Sequence, residues 1–127
     1  MVKREMKMGK FRELITKTGT RILAGKDEKS NEELVKQAGE NEEIFHTEAP
    51  GSPFVNIKGK AKESDIKIAA VFCARHSRDW KKNRRDVFVH RFKGKDVFKT
   101  REMKTGTFGV KKFKIMKIKK ADISKLK

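Results

Sequence analysis

The sequence predicts an α+β domain, an antiparallel sheet packed with two helices, in the order ββ-α-ββ-α-βββ. Three observations predict it. Apolar residues recur at helical spacing behind polar capping residues in two stretches, about residues 30–38 and from Ser64 onward. Between and after them, apolar and polar residues alternate with period two, as in half-buried strands. Gly- and Pro-bearing breaks separate the strands at hairpin-like intervals.

The first eight residues are polar and Met-bearing, and read as a frayed end or a short edge segment. Residues 10–17 (KFRELITK) and 20–26 (TRILAGK) flank Thr18-Gly19, a hairpin signal. Ser30 with Glu33 forms a capping box, and Gly39 is a stop, so a helix is expected over 30–38 with Leu34, Val35 and Ala38 as its apolar stripe. Residues 43–49 and 53–58 read as two strands around Pro50-Gly51-Ser52-Pro53, a tight loop. Ser64 then caps a long helix that carries Ile66, Ala69, Ala70, Cys73 and Trp80 on one stripe, with Phe72 and His76 beside it. After it, RRDVFVHRF, KDVFKTR, GTFGVKKF and KIMKIKKADI alternate apolar and basic residues, as strands with a core face and a Lys/Arg face. The last residues, KKADISKLK, are expected to fray. The expected division is a polar segment over 1–9, one domain over 10–120 and a basic tail over 121–127.

At 127 residues the chain holds one domain with a real core. Its net charge is +17, and the excess is segregated. Residues 1–70 hold 14 Lys/Arg against 12 Asp/Glu, whereas residues 71–127 hold 20 against 5. A thermophile surface raises both signs together. A one-sided excess repels itself and calls for a polyanion, nucleic acid first. A membrane fits poorly, because no apolar run approaches the ~20 residues of a spanning helix and the N-terminus lacks a signal-peptide core. The single cysteine, Cys73, cannot form an internal disulfide, which points to the cytoplasm.

The residues also resemble a known family. FRELITKTGTRILAGKDEKSNEELV is similar to the opening of the NFACT-R domain, the RNA-binding domain of the large NFACT proteins of ribosome-associated quality control. Gly25, Lys26, Asp27, Asn31, Glu32, Leu34 and Val35 carry that block. EEIFHTEAPGSPFVNIKG carries the next one, through His46, Pro50, Gly51, Ser52, Val55, Ile57 and Lys58. DIKIAAVFCAR and TGTFGVKKFK resemble the later helix and strand, so the likeness spans about residues 10–118. Pro53 departs from the family pattern, and the link from the helix to the last strands is longer and more basic. The resemblance implies a stand-alone RNA-binding adaptor, in ribosome-associated quality control or tRNA modification. The peptide tailing tied to other parts of the large proteins does not carry over.

On this reading the partner is structured RNA, a tRNA or the rRNA of the ribosomal large subunit, with a translation or tRNA-modification protein beside it and no membrane. Lys81, Lys82, Arg84 and Arg85 are the leading phosphate contacts, followed by Lys111, Lys112 and Lys114. Lys26 belongs to the first family block. Gly51 and Ser52 form a turn able to aim backbone N–H groups at a phosphate, with His46 either contacting RNA or fixing the loop. Asp27 reads as helix-start chemistry, and Asn31 either braces that turn or contacts a base or ribose. Phe88, Phe92, Phe98, Phe108 and Phe113 alternate with basic residues, so some suit base stacking and most suit the core.

No enzyme, cofactor or metal is expected. There is no nucleotide-binding glycine loop and no legible catalytic carboxylate pair or triad. Cys73 and His76 sit three apart, but one Cys and three His in the whole chain make a poor zinc set, and Cys73 and Trp80 read as core. Two alternatives remain: a small ribonuclease using His46 and His90, which nothing in the sequence places together, and an architectural DNA-binding protein.

Overall fold

The computed structural model describes residues 2–8 and 10–126, with side chains from residue 10 onward. The elements run β1 (Val2–Met8), β2 (Phe11–Thr16), β3 (Arg21–Ala24), α1 (Glu28–Gln37), β4 (Glu43–Thr47), β5 (Val55–Ile57), α2 (Glu63–Arg75), α3 (Arg78–Asn83), β6 (Val87–Lys93), β7 (Val97–Phe98), β8 (Gly109–Val110), β9 (Lys114–Ile118) and α4 (Lys120–Lys125). The α+β class and antiparallel sheet are as expected. Seven strands form that sheet in the order β1-β2-β3-β5-β4-β6-β9, and β7 and β8 form a separate ribbon.

The strand order fixes where the helices lie. From β3 to β4 the chain crosses over β5, and from β5 to β6 it crosses over β4. Both crossovers move the same way along the sheet, but they start from strands of opposite direction. They share one hand only if their helices lie on opposite faces, and crossover handedness is strongly one-sided in proteins. Leu34 and Val35 of α1 accordingly pack with Leu23, Ile44, Phe54 and Phe92 on one face. On the other face α2 packs Ile68, Val71 and Phe72 against Ile22, Phe45, Val55 and Ile57.

The central strand β5 is inaccessible on both sides, Asn56 included. Burying that amide is tolerable because its hydrogen bonds are made. Asn56 Nδ2 donates to the carbonyls of Glu43 (3.1 Å) and Ile57 (3.2 Å), and Oδ1 accepts from Gln37 Nε2 at 2.9 Å.

Several boundaries differ from the sequence reading. α1 starts earlier than expected: Asp27, not Ser30, is its N-cap, with Oδ1 accepting from Ser30 N at 2.8 Å while Ser30 Oγ accepts from Asp27 N at 3.0 Å. Ser64 does not cap α2. Asp65 instead turns back to accept from Lys62 N at 3.1 Å. The long helix expected through Trp80 breaks at Ser77, whose Oγ accepts from Trp80 N (3.1 Å) and donates to Ala74 O (2.7 Å). That cap starts α3 and turns Trp80 into the core. The strands expected at 95–101 and 106–113 shrink to two residues each, because both edges of β6 are already taken by β4 and β9. The C-terminal segment, expected as a frayed basic tail, forms α4 instead. Ile123 and Leu126 are buried against α2, and Arg75 Nε donates to Leu126 O at 3.2 Å. The first segment forms the edge strand β1, antiparallel to β2.

Two polar hubs fasten this frame. Asp65, inaccessible to solvent, accepts from the hydroxyls of Thr18 (3.0 Å) and Thr20 (2.8 Å), tying the β2–β3 turn to the start of α2. Burial favours its neutral form, but the bonds from Thr20, Lys62, Thr18 and Thr16 outweigh that and hold its carboxyl below the usual range. Lys99 docks the β7–β8 ribbon: Nζ donates to Glu32 Oε1 on α1 (2.9 Å) and to the carbonyls of Lys104 (2.7 Å) and Thr107 (2.8 Å), above the ring of Phe108.

Asp65→Ala leaves two hydroxyls and a backbone amide without their acceptor, and is expected to lower stability by about 2–3 kcal/mol in urea unfolding. Lys99→Met releases the ribbon without touching the sheet. Hydrogen exchange is expected to rise over residues 97–110 while protection of β3 to β6 stays unchanged.

Candidate nucleic-acid interface

A cleft of about 690 Å³ opens where the β4–β5 loop, the start of α1, the start of α3 and the ribbon meet. Its floor is set by local chemistry. Thr47 N donates to Ser52 Oγ at 3.1 Å, and Ser52 Oγ donates to Pro53 O at 3.1 Å. Gly51 takes φ +92°, and its carbonyl accepts from Arg78 N at 2.7 Å. A Cβ on Gly51 would lie 3.0 Å from Cβ of Arg78, so glycine lets α3 begin directly against the loop. Arg78 thereby borders the cleft.

Asn31 braces the opposite wall. Its Oδ1 accepts from Phe54 N at 3.0 Å, and a Cβ on Gly25 would collide with that oxygen. Asn31 therefore joins α1 to the strand β5, in place of bracing its own turn, while still bordering the cleft. Cys73 lies beneath this floor, fully buried, with Sγ 3.6 Å from Pro53 O. Burial pushes its thiol up to about 12, which makes it inert as a nucleophile. Among the described residues, no three His, Cys, Asp or Glu side chains gather as a metal site requires.

Aromatic rings line the rest. His46 packs on Phe54 with ring centroids 4.3 Å apart, and Phe54 meets Phe108 edge-on at 5.7 Å. His90 stacks on Phe113 at 4.2 Å and 16°. His46 and His90 face each other in register across β4 and β6, a juxtaposition the sequence did not reveal. His46 Nδ1 donates to Thr47 O at 2.9 Å. His90 Nε2 lies 3.2 Å from Glu48. Of the five phenylalanines that alternate with basic residues, Phe92 is core, Phe108 is half-buried, and Phe88, Phe98 and Phe113 are exposed.

The cations expected to bind phosphate fall into separate groups. Lys26 and Lys81 border a second groove that continues from the cleft past Gly51 and Ser52, joined there by Arg12 and Arg78. Lys112 and Lys114 line a third, basic groove with Lys93 and Lys95, on the far side of Phe113. Lys82, Arg84, Arg85 and Lys111 border none of these. Arg84 takes the left-handed conformation and lies over the Trp80 ring, Arg85 pairs with Asp79 at 3.7 Å, and Lys111 N is bonded to Asp96 O. The sequence reading missed Arg78, Arg12, Lys93 and Lys95. For Arg78 there was a usable signal, a Ser77 cap three residues before Trp80. The other three depend on strand order.

His46 is held below the ordinary histidine range chiefly by burial and further by His90, against its bond to Thr47. Between the folded value and the ordinary one, the unfolded chain binds the proton more readily. The neutral ring's contribution is thus complete above the ordinary value and is lost as pH falls from there through the folded value. Glu42 and Asp65, whose carboxyls sit below the usual range, lose theirs only at lower pH. A melting temperature that declines as pH falls below about 6.5 is expected, and His46→Gln is expected to flatten that decline.

Comparisons with known proteins agree with this picture. The family profile described as the NFACT protein RNA binding domain matches residues 10–112. The archaeal Rqc2 homolog aRqcH of Methanocaldococcus jannaschii is 33% identical over 101 residues, which cover 73% of this chain and 15% of that protein. The chain thus spans a small part of that relative's length. The C-terminal part of the fibronectin/fibrinogen-binding protein from Streptococcus suis shares the fold, with a TM-score of 0.78 at 24% identity, covering 90% of this chain and 47% of that one. With the family match running over most of its length, this chain belongs to the NFACT RNA-binding domain family.

Proposed function

We propose that this chain is a cytoplasmic RNA-binding adaptor of translation quality control, without catalysis of its own, that grips a tRNA or the rRNA of the large subunit along the cleft and its two flanking grooves. One observation carries the reading. Among the described residues, carboxylates pair with cations that fasten the fold, as Glu32 does with Lys99, Glu42 with Lys58 and Glu43 with Arg91. Arg78, Lys81, Lys112 and Lys114, at the cleft and its grooves, have no carboxylate of the described residues within ion-pair distance. Unpaired cations around a walled cleft suit a phosphate backbone, whose counterions they displace. Lys26, Asn31, His46, Gly51 and Ser52 border the same surface and are proposed to shape or touch the RNA. Lys82, Arg84, Arg85 and Lys111 are proposed as outlying phosphate contacts. A protein of translation or tRNA modification is the proposed companion. No helix among the described residues is long and apolar enough to cross a membrane.

A second reading, RNA cleavage, has the facing His46 and His90 in its favour. We rank it second because both rings are packed on phenylalanines and each has a nitrogen engaged, one with Thr47 and one with Glu48.

Binding of tRNA, of a large-subunit rRNA fragment, and of duplex DNA and heparin of matched charge is the test. RNA is expected to win at physiological salt, with a steep fall in affinity as salt rises. Lys81→Glu and Lys112→Glu are each expected to weaken binding and reduce the salt slope by about one. Equal binding to DNA or heparin would leave only generic electrostatics. RNA cut by the wild type but not by a His46→Ala, His90→Ala double variant would instead favour the second reading.

A further inference from the structure

Phe88, His90 and Phe92 project from one face of β6, opposite the core residues Val87 and Val89. Phe92 is covered by α1 and the ribbon, whereas toward Phe88 the same face carries Phe113 stacked on His90 and leaves Phe88 and Ile115 exposed. Ile115 stands opposite His90 and Lys117 opposite Phe88. Phe88 is 43% exposed, Phe113 44% and Ile115 57%, and the pairing of Ile115 with His90 and the stacking of Phe113 on His90 gather exposed apolar groups around one ring.

We infer that this face of β6 and β9 is a stacking platform for unpaired nucleotides of the bound RNA, with Phe113 and His90 as its centre. The inference rests on the RNA-binding reading and specifies which part of the RNA is read. Charge complementarity selects the occupant. Phe113 stands between the walled cleft, which holds Arg78, and the basic groove of Lys93, Lys95, Lys112 and Lys114. A base laid on the Phe113–His90 pair has cations on both sides for the phosphates before and after it. Interleaved aromatic and cationic groups are how single strands are held, because every base offers a π-face. A paired base has no free face to offer, so the platform distinguishes loops from stems.

The test compares a stem–loop carrying 2-aminopurine in its loop with a closed duplex of equal phosphate count. The wild type is expected to prefer the stem–loop on the order of tenfold and to quench the probe. Phe113→Ala is expected to lose the preference and the quenching while keeping the wild-type melting temperature and salt slope, and Phe113→Tyr to retain both. Equal affinity for the two RNAs, or a Phe113→Ala variant indistinguishable from wild type, overturns the platform and leaves the RNA-binding reading standing. A shift in oligomeric state in Phe113→Ala without a change in RNA affinity overturns it in favour of a contact between copies. Failure of the wild type to bind either RNA removes both readings.

Discussion

The site depends on a mismatch of coverage. A sheet of seven strands has two broad faces, and α1, with ten residues, is only about 15 Å long. It lies across β3, β5 and β4. The opposite face receives α2, α3 and α4 together. The two crossovers force this division, since each helix must take its own side. What α1 leaves bare is partly roofed by the β7–β8 ribbon, and the cleft lies where the roof stops.

The elements that could be read from the sequence are those whose cause is local. The Gly turn at Thr18-Gly19, the stop at Gly39 and the loop at Pro50-Gly51-Ser52 all act within a few residues, and each was found near its place. Asp27 was assigned helix-start chemistry, although the cap was placed at Ser30 instead, because both residues satisfy a box pattern three apart. The break at Ser77 was hidden by apolar residues that continue the helical period on both sides of it. β7 and β8 alternate like strands, yet a strand extends only where an edge is free, which is a property of the finished sheet. The same holds for the phenylalanines. Phe88 and Phe92 share one face of one strand, and only the position of α1 makes one a core residue and the other a surface residue.

Charge was legible as a sum and illegible as an arrangement. The excess in residues 71–127 announces a polyanion, but it does not say which lysines are already engaged. Lys99 comes from that basic half, yet its ammonium is committed to Glu32 and two carbonyls and serves the ribbon. Arg78, which never stood out in the sequence, borders both the cleft and the groove beside it.

Cys73 adds a practical consequence. Its sulfur is the chain's one thiol, sealed under Pro53 at the base of the loop that carries Gly51 and Ser52. That loop is the cover its sulfur touches, so labelling by an alkylating reagent faster than global unfolding reports opening of the cleft floor. The native sequence thus carries its own clock for loop motion, with no engineered probe, and any occupant that clamps the loop slows it.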